Sequence, residues 1–275
     1  MKITAQEVNK LRKATGAGMM DCKKALQEAE GDMEKAIDIL RKKGQKVAAK
    51  RADREAGEGV VLAKVSDDKT FAASVMINCE TDFVAKNQDF IDFVKSVTDL
   101  AVANKAKDKD ELNALMLDGR SVAEHITEKT GVIGEKIQLG DYQVVEGESV
   151  HAYIHNGNRI ASIVAFNKAG DFDEAGKDVA MQIAAMDPVA ISEADVPEDV
   201  KKREIEIGMD QARQEGKPEA MLERIAMGKL NKFYKENTLL AQAFIKDSKQ
   251  NVADYLKSKD ADLTVTAFKR LALAV

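Results

Sequence analysis

Tryptophan is absent from this chain, proline occurs three times and cysteine twice in 275 residues. So little proline and no tryptophan give no sign of a repeat-rich or sandwich-type extracellular protein. Cys22 and Cys79 stand 57 residues apart, a separation that matches no metal-ligand spacing. The simplest reading is two reduced thiols in a cytoplasmic protein. His125, His151 and His155 are the only histidines, too few for a histidine-rich metal site. His151 and His155 fall on a strand reading, where they share a face but stand too far apart to ligate one metal directly. No apolar run reaches transmembrane length. The opening Met1-Lys2-Ile3, followed by Thr, Gln and Glu, has neither the apolar stretch of a signal peptide nor the composition of an import presequence. These absences lead to the expectation of a cytoplasmic protein without membrane association.

Signatures of catalysis are missing too. There is no Gly-x-Gly-x-x-Gly and no Gly-x-x-x-x-Gly-Lys-Ser/Thr, and Gly16-Ala17-Gly18 is too short for a phosphate loop and follows a helix rather than a strand. No Gly-x-Ser-x-Gly elbow occurs. Glu80 and Asp82 stand two residues apart, but an acid–base pair needs further convergent polar groups, and none is evident. The expectation is a protein that is not an enzyme and carries no cofactor or metal.

Charge is plentiful, at 32% of residues with a net −5. Residues 1–54 hold 14 Lys/Arg against 8 Asp/Glu, so this end is +6 and the remainder −11. The basic charges are interspersed with acids along helical faces, and the acidic bulk is repelled by a phosphate backbone. Direct nucleic-acid binding is not expected.

Hydrophobic spacing predicts a helix over 4–13, capped by Thr4 with Glu7 completing a capping box, then helices over 21–29 and 33–43, the last ended by Gly44. Residues 45–56 form a polar, alanine-rich connector. Strands follow at 60–65 and 70–78 about the turn Ser66-Asp67-Asp68-Lys69, then a loop, then a helix from 87 to 103 with Phe90, Phe93, Val94, Val97 and Leu100 at helical spacing. A shift of 89 residues repeats the texture: strands at 149–155 and 159–166, Gly170-Asp171-Phe172, and a helix at 173–186 with Val179, Ile183 and Met186 inward. Asp82-Phe83 falls on Asp171-Phe172, and Val94 on Ile183. The order strand, turn, strand, helix, met twice, predicts an α+β fold with a duplicated β-hairpin-plus-helix core. Short helices are expected at 109–117 and 121–129, and a further strand within 132–145.

Residues 198–214 and 219–236 are long, charged amphipathic stretches joined by Glu215-Gly216-Lys217-Pro218, the pattern of a projecting helical hairpin. Ile205, Met209 and Ala212 supply one apolar side, and Leu222, Ile225, Met227 and Phe233 the other. That content is thin for a domain core and suits an intermolecular contact, self-association included. A helical turn or two at 251–256 and a strand at 263–274 close the chain.

Thr81-Asp82-Phe83-Val84 places an acid, a large ring and a β-branched residue where a loop gives way to a helix. Two readings of Phe83 stay open: packing beneath its own helix, or a ring offered to a partner protein. Asp82 would cap the helix in the first case. Met19-Met20 is open in the same way between helix-edge packing and an adaptable binding pair. His155 is either a contact residue or a polar residue at a hairpin tip.

Leu11-Arg12-Lys13-Ala14-Thr15-Gly16-Ala17-Gly18-Met19-Met20-Asp21-Cys22-Lys23-Lys24-Ala25-Leu26, continuing through Gly31-Asp32-Met33-Glu34-Lys35-Ala36, resembles the N-terminal signature of the bacterial translation elongation factor Ts family, the nucleotide exchange factors of elongation factor Tu. Asn78-Cys79-Glu80-Thr81-Asp82-Phe83-Val84-Ala85 resembles that family's second signature, and Tyr153-Ile154-His155-Asn156-Gly157 matches its histidine of the second core unit. The resemblance covers nearly the whole chain. It implies a ubiquitin-associated-like three-helix domain with a linker helix at 1–55, core subdomains at 56–145 and 146–275, and a coiled-coil arm at about 192–236 inserted in the second. It also implies that Asp82 and Phe83 press on the GTPase near its Mg²⁺, that Met19, Met20 and Val84 support them, with Thr81 in the same corner, and that His155 touches the far side of the nucleotide pocket. Longer members run on into a further C-terminal helix. Here the chain stops at Leu271-Ala272-Leu273-Ala274-Val275, so that contact is expected to be absent or reduced, which bears on affinity more than on activity. The competing expectation is a scaffold protein that binds through the three-helix domain without changing nucleotide release.

Overall fold

The computed structural model describes residues 3–274. The readings of Met1 and Lys2 as an unadorned start and of Val275 as a terminus lie outside the described residues. Thr4 caps α1 (Ala5–Thr15): its hydroxyl accepts the Glu7 N–H while the Glu7 carboxylate accepts the Thr4 N–H at 2.7 Å, closing the capping box the spacing predicts. Gly16, at φ 69°, ends the helix in the left-handed region. α2 (Met19–Glu28) and α3 (Met33–Lys50) close a small core made by Val8, Leu11, Cys22, Ala25, Leu26 and Ala36. Then come β1 (Glu58–Val65), β2 (Phe71–Cys79), the single turn α4 (Asp82–Ala85), α5 (Gln88–Ala103), α6 (Lys109–Ala114), the ribbon of β3 (Met116–Leu117) and β4 (Arg120–Ser121), α7 (Val122–Ile133) and β5 (Gln138–Glu146). The sheet runs β1-β2-β5, so the expected further strand exists and joins the hairpin. The predicted helix over 109–117 stops at Ala114, because Met116 and Leu117 pair with β4 instead.

The expectation that Gly44 ends the third helix is overturned. α3 continues to Lys50 and absorbs the start of the expected connector. Gly44 lies inside α3, where that helix crosses α7. α3 crosses α7 so closely that a Cβ on Gly131 would lie 2.3 Å from the Gly44 Cα. Two glycines facing each other permit a backbone approach that any side chain on Gly131 would block.

The chain divides into two compact units, one through Leu62 with Val75–Tyr142 and the end from Leu273, the other Ala63–Ser74 with Gln143–Ala272. In the second unit β6 (Ser149–Ile154) and β7 (Ile160–Phe166) form an antiparallel hairpin, followed by α8 (Asp173–Met186), α9 (Glu198–Gln214), α10 (Glu219–Asn237), the ribbon of β8 (Ala243–Phe244) and β9 (Asp247–Asn251), α11 (Val252–Lys259) and β10 (Val265–Ala272). β10 returns antiparallel to β7, from Val265 opposite Phe166 to Ala272 opposite Ile160, giving the order β10-β7-β6. Both larger sheets therefore place the second hairpin strand at the centre, flanked by a strand that arrives later. Val94 on α5 and Ile183 on α8, which the 89-residue offset pairs, are both fully buried. The architecture is α+β with N-terminal helices, as the sequence pattern indicates. Val179 and Ile183 face inward as predicted, but Met186 is exposed, because α8 ends there and Asp187 turns left-handed at φ 44°.

α9 and α10 pack side by side as the predicted hairpin, through a seam that contains the predicted Ala212 and Leu222 but neither Met209 nor Met227. The buried seam is Gly208, Ala212, Leu222, Ala226, Leu230 and Tyr234, while Met227 is exposed and Met209 half-buried. A Cβ on Gly208 would stand 3.1 Å from the Ala226 Cα, so small residues meet where the helices approach most closely. Ile205 and Phe233 pack at the base, against Ala190, Val196, Leu230 and Tyr234.

His151 departs from its expected role. It is buried in β6 with Nε2 lacking a partner, against Phe166 at 5.2 Å between ring centroids and beneath Gly176, where a Cβ would strike the imidazole. His155 lies beyond the strand end and is exposed, so the two histidines share no face. Burial pushes the His151 pKa below its ordinary value, an effect that Asp173, 3.6 Å from Nδ1, opposes. The folded protein then binds fewer protons at this site than the unfolded chain. The stability held by neutral His151 is complete above the unfolded value of about 6.5 and is lost as pH falls toward the lower folded value. In urea titrations from pH 7.5 to 5, His151→Gln is expected to lose less stability on acidification than the unsubstituted protein, by up to about 1.4 kcal/mol per pH unit. Parallel acid slopes would count against a buried neutral imidazole.

Candidate partner-binding site

β2 ends at Cys79 and the chain turns through Glu80 and Thr81 into α4, which carries Asp82, Phe83 and Val84. Each residue before the helix is tied down. The Cys79 thiol donates to the Thr81 carbonyl at 3.2 Å. Glu80 accepts from Arg51 Nη1 at 2.8 Å and from the Lys136 N–H at 2.6 Å, and its pKa is lowered by that backbone bond first and by Arg51 next. Lys136 Nζ in turn donates to the carbonyls of Ala52 and Arg54 at 2.7 and 2.9 Å, just past α3. Thr81 donates its N–H to Glu135 Oε2 at 3.0 Å and its hydroxyl to Glu135 Oε1 at 2.7 Å.

On this braced corner the Phe83 ring stands in solvent, 82% exposed. Packing beneath its own helix is thereby excluded. Its counterpart Phe172 behaves differently, packing edge-on against Phe166 at 6.3 Å within the second unit's core. Of the two hairpin-plus-helix units, only the first leaves the ring at this place uncovered. Val84 is half-buried beside it. Asp82 does not cap α4, because Thr81 holds the N-cap position. The Asp82 carboxylate accepts from Lys86 Nζ at 2.7 Å, and that bond, with the lysine's charge, lowers its pKa. Glu80 and Asp82 thus answer to different cations and form no acid–base pair.

Met19 and Met20 occupy the first turn of α2, which starts two residues earlier than predicted, and both are more than half exposed. His155 opens the β6–β7 turn, where its N–H donates to the Ile160 carbonyl at 2.9 Å and its Nδ1 lies 3.0 Å from the Tyr153 hydroxyl. It is a hairpin-tip residue held by a neighbouring ring. Glu135, Lys136 and Arg51 were not legible as part of the corner. Glu135 meets Thr81 across 54 positions, and no local pattern announces such a pairing.

Both cysteines are free and buried. Burial, with the carboxylates of Glu135 and Glu58 behind it, pushes the Cys79 thiol up to about 12. Since the thiolate is the reactive species, an aromatic disulfide reagent at pH 8 is expected to leave both cysteines unmodified in the native protein and to react promptly with both in denaturant. Fast modification of Cys79 in native buffer would mean that the corner opens readily.

An α+β core that carries a helical hairpin and presents an uncovered ring on a fixed corner has the build of a factor that works by docking on another protein. A profile of the family described as Elongation factor TS matches residues 80–274. Over 273 residues, 99% of each chain, the sequence is 55% identical to an elongation factor Ts of Christiangramia forsetii. It is 52% identical over 274 residues to the one of Porphyromonas gingivalis and 53% over 275 residues to that of Cytophaga hutchinsonii, again spanning 99% of each chain. The chain belongs to the elongation factor Ts family.

Proposed function

We propose that this chain is a guanine-nucleotide exchange factor for translation elongation factor Tu, acting in the cytoplasm, with Thr81–Val84 as the corner that enters the GTPase near its Mg²⁺ and with no bond-making chemistry of its own. Family membership supports the exchange activity and the partner. The single observation that supports the corner is the exposed Phe83 ring on α4, just after residues that are all tied down. A GTPase holds GDP through backbone donors around the phosphates, a lysine and Mg²⁺. A ring that displaces the Mg²⁺-side groups costs GDP part of that hold. Burying a phenylalanine side chain is worth about 1.5–3 kcal/mol, which corresponds to roughly 10- to 150-fold in nucleotide affinity.

The other parts take supporting roles in this reading. Residues 1–55 act as a ubiquitin-associated-like domain and linker that brings Met19 and Met20 to the GTPase. Subdomain 56–145 carries the corner, and subdomain 146–275 brings His155 to the phosphate-binding end. The arm at about 192–236 is a coiled coil with a surface for self-association. Linkage supplies the test: if this chain weakens GDP binding to elongation factor Tu by some factor, GDP weakens binding of this chain by the same factor. Calorimetric titration of elongation factor Tu with this protein, nucleotide-free and at saturating GDP, is expected to show that loss of affinity. Equal affinities in the two states would reject exchange.

A further inference from the structure

We infer that Glu135 is a positioning residue for exchange: its carboxylate clamps Thr81 and so fixes the direction in which Phe83 is presented. This rests on the exchange reading above. Glu135 follows Gly134, which ends α7 in the left-handed region at φ 79°, and it precedes β5. From there it takes both Thr81 donors, one on each oxygen, at 3.0 and 2.7 Å. Two charge-assisted bonds from one carboxylate to adjacent donors fix orientation as well as distance.

The clamp also explains an irregularity at the helix start. A threonine at an N-cap ordinarily turns its hydroxyl back to accept a helix N–H. Thr81 has the extended backbone of an N-cap but makes no such bond; its hydroxyl is turned toward Glu135 instead. The start of α4 is therefore set from outside, by the loop after α7. The Thr81 carbonyl accepts from the Cys79 thiol and from the Ala85 N–H, and Asp82 accepts from Lys86, so it is Glu135 that reaches this corner from outside and aims Phe83. Without Glu135 nothing turns the Thr81 hydroxyl outward and the Thr81 N–H loses its acceptor, so the ring is no longer held in one direction. A wedge that must be ordered during docking acts more slowly than one ordered beforehand.

Stopped-flow release of fluorescent GDP from elongation factor Tu, over a concentration series of each variant, reads the clamp. Glu135→Ala is expected to lower the maximal rate about 10-fold, the size of a lost bond to a charged group, while the half-saturating concentration stays within about 2-fold. Glu135→Gln is expected to stay within about 3-fold of the unsubstituted protein, since the amide oxygen still takes the N–H and the hydroxyl can turn to accept from the amide nitrogen. An unchanged maximal rate in Glu135→Ala overturns the inference, and so does a loss in both variants that appears only as a raised half-saturating concentration. If Glu135→Ala does not fold, Thr81→Val removes the hydroxyl alone and carries the same expectation at about 3-fold, an unchanged rate being again contrary. If the unsubstituted protein leaves release unchanged, the exchange reading fails on its own, and the clamp is read by amide hydrogen exchange. The Thr81 N–H is expected to be protected in the unsubstituted protein and to exchange freely in Glu135→Ala, and free exchange in both overturns the clamp.

Discussion

Phe83→Ala is expected to slow stimulated GDP release by about 30-fold or more, the cost of truncating a residue that dominates an interface. The same substitution is expected to leave melting almost unmoved, because a ring that is 82% exposed contributes little to the folded chain's own packing. The two halves must be measured together. Lost activity in a protein that melts normally identifies a ring used on a partner. Lost activity with a large drop in melting temperature would instead return Phe83 to the core, against its exposure. Phe172→Ala supplies the contrast: it removes the edge-on contact with Phe166 and is expected to destabilise the protein.

Gly131→Ala is expected to destabilise the protein by about 1–3 kcal/mol through overpacking, whereas Gly44→Ala is expected to be neutral or slightly stabilising. The two glycines face each other at the α3–α7 crossing, yet their added Cβ atoms meet different surroundings. At Gly131 the Cβ would lie 2.3 Å from the Gly44 Cα, a backbone atom that can retreat only if the whole helix moves. At Gly44 the nearest atom is the Gly131 Cα at 3.5 Å, an ordinary contact, and alanine improves the helix interior. The ion pairs of Arg41 with Glu124 at 3.0 Å and Glu128 at 3.3 Å flank the crossing but are partly exposed, so they offset little of the loss. Thermal melts of the two variants side by side decide the matter. Equal effects would mean that the helices do not approach as closely as the geometry requires.

Legibility from sequence followed the range of the interaction. The Thr4–Glu7 capping box, the hairpin strands and the buried face of α5 rest on spacings within one or two turns, and they stand close to where the pattern puts them. Gly44 misled because a glycine inside a helix and one at its end look alike; the difference lies in Gly131, 87 positions away. The arm's faces are legible at Ala212 and Leu222 but not at the methionines, for a related reason. Large apolar residues draw attention, but Gly208 and Ala226 meet where the helices approach most closely, and Met227, one position beyond Ala226, is turned out to solvent. The corner was visible through its own residues, whereas the groups that hold it were not. Arg51 reaches it from the end of α3 and Glu135 and Lys136 from the loop between α7 and β5, and nothing local in Glu135 distinguishes it from other surface glutamates.

The measurement that tests the central claim most directly is the release rate of fluorescent GDP from elongation factor Tu as this protein is added over a concentration series. A large, saturable acceleration that Phe83→Ala removes is the predicted result. Release that stays at its unassisted rate, with both proteins folded and elongation factor Tu from the matching species, would contradict the exchange reading and leave the exposed ring and the three-helix end as contacts for a different partner.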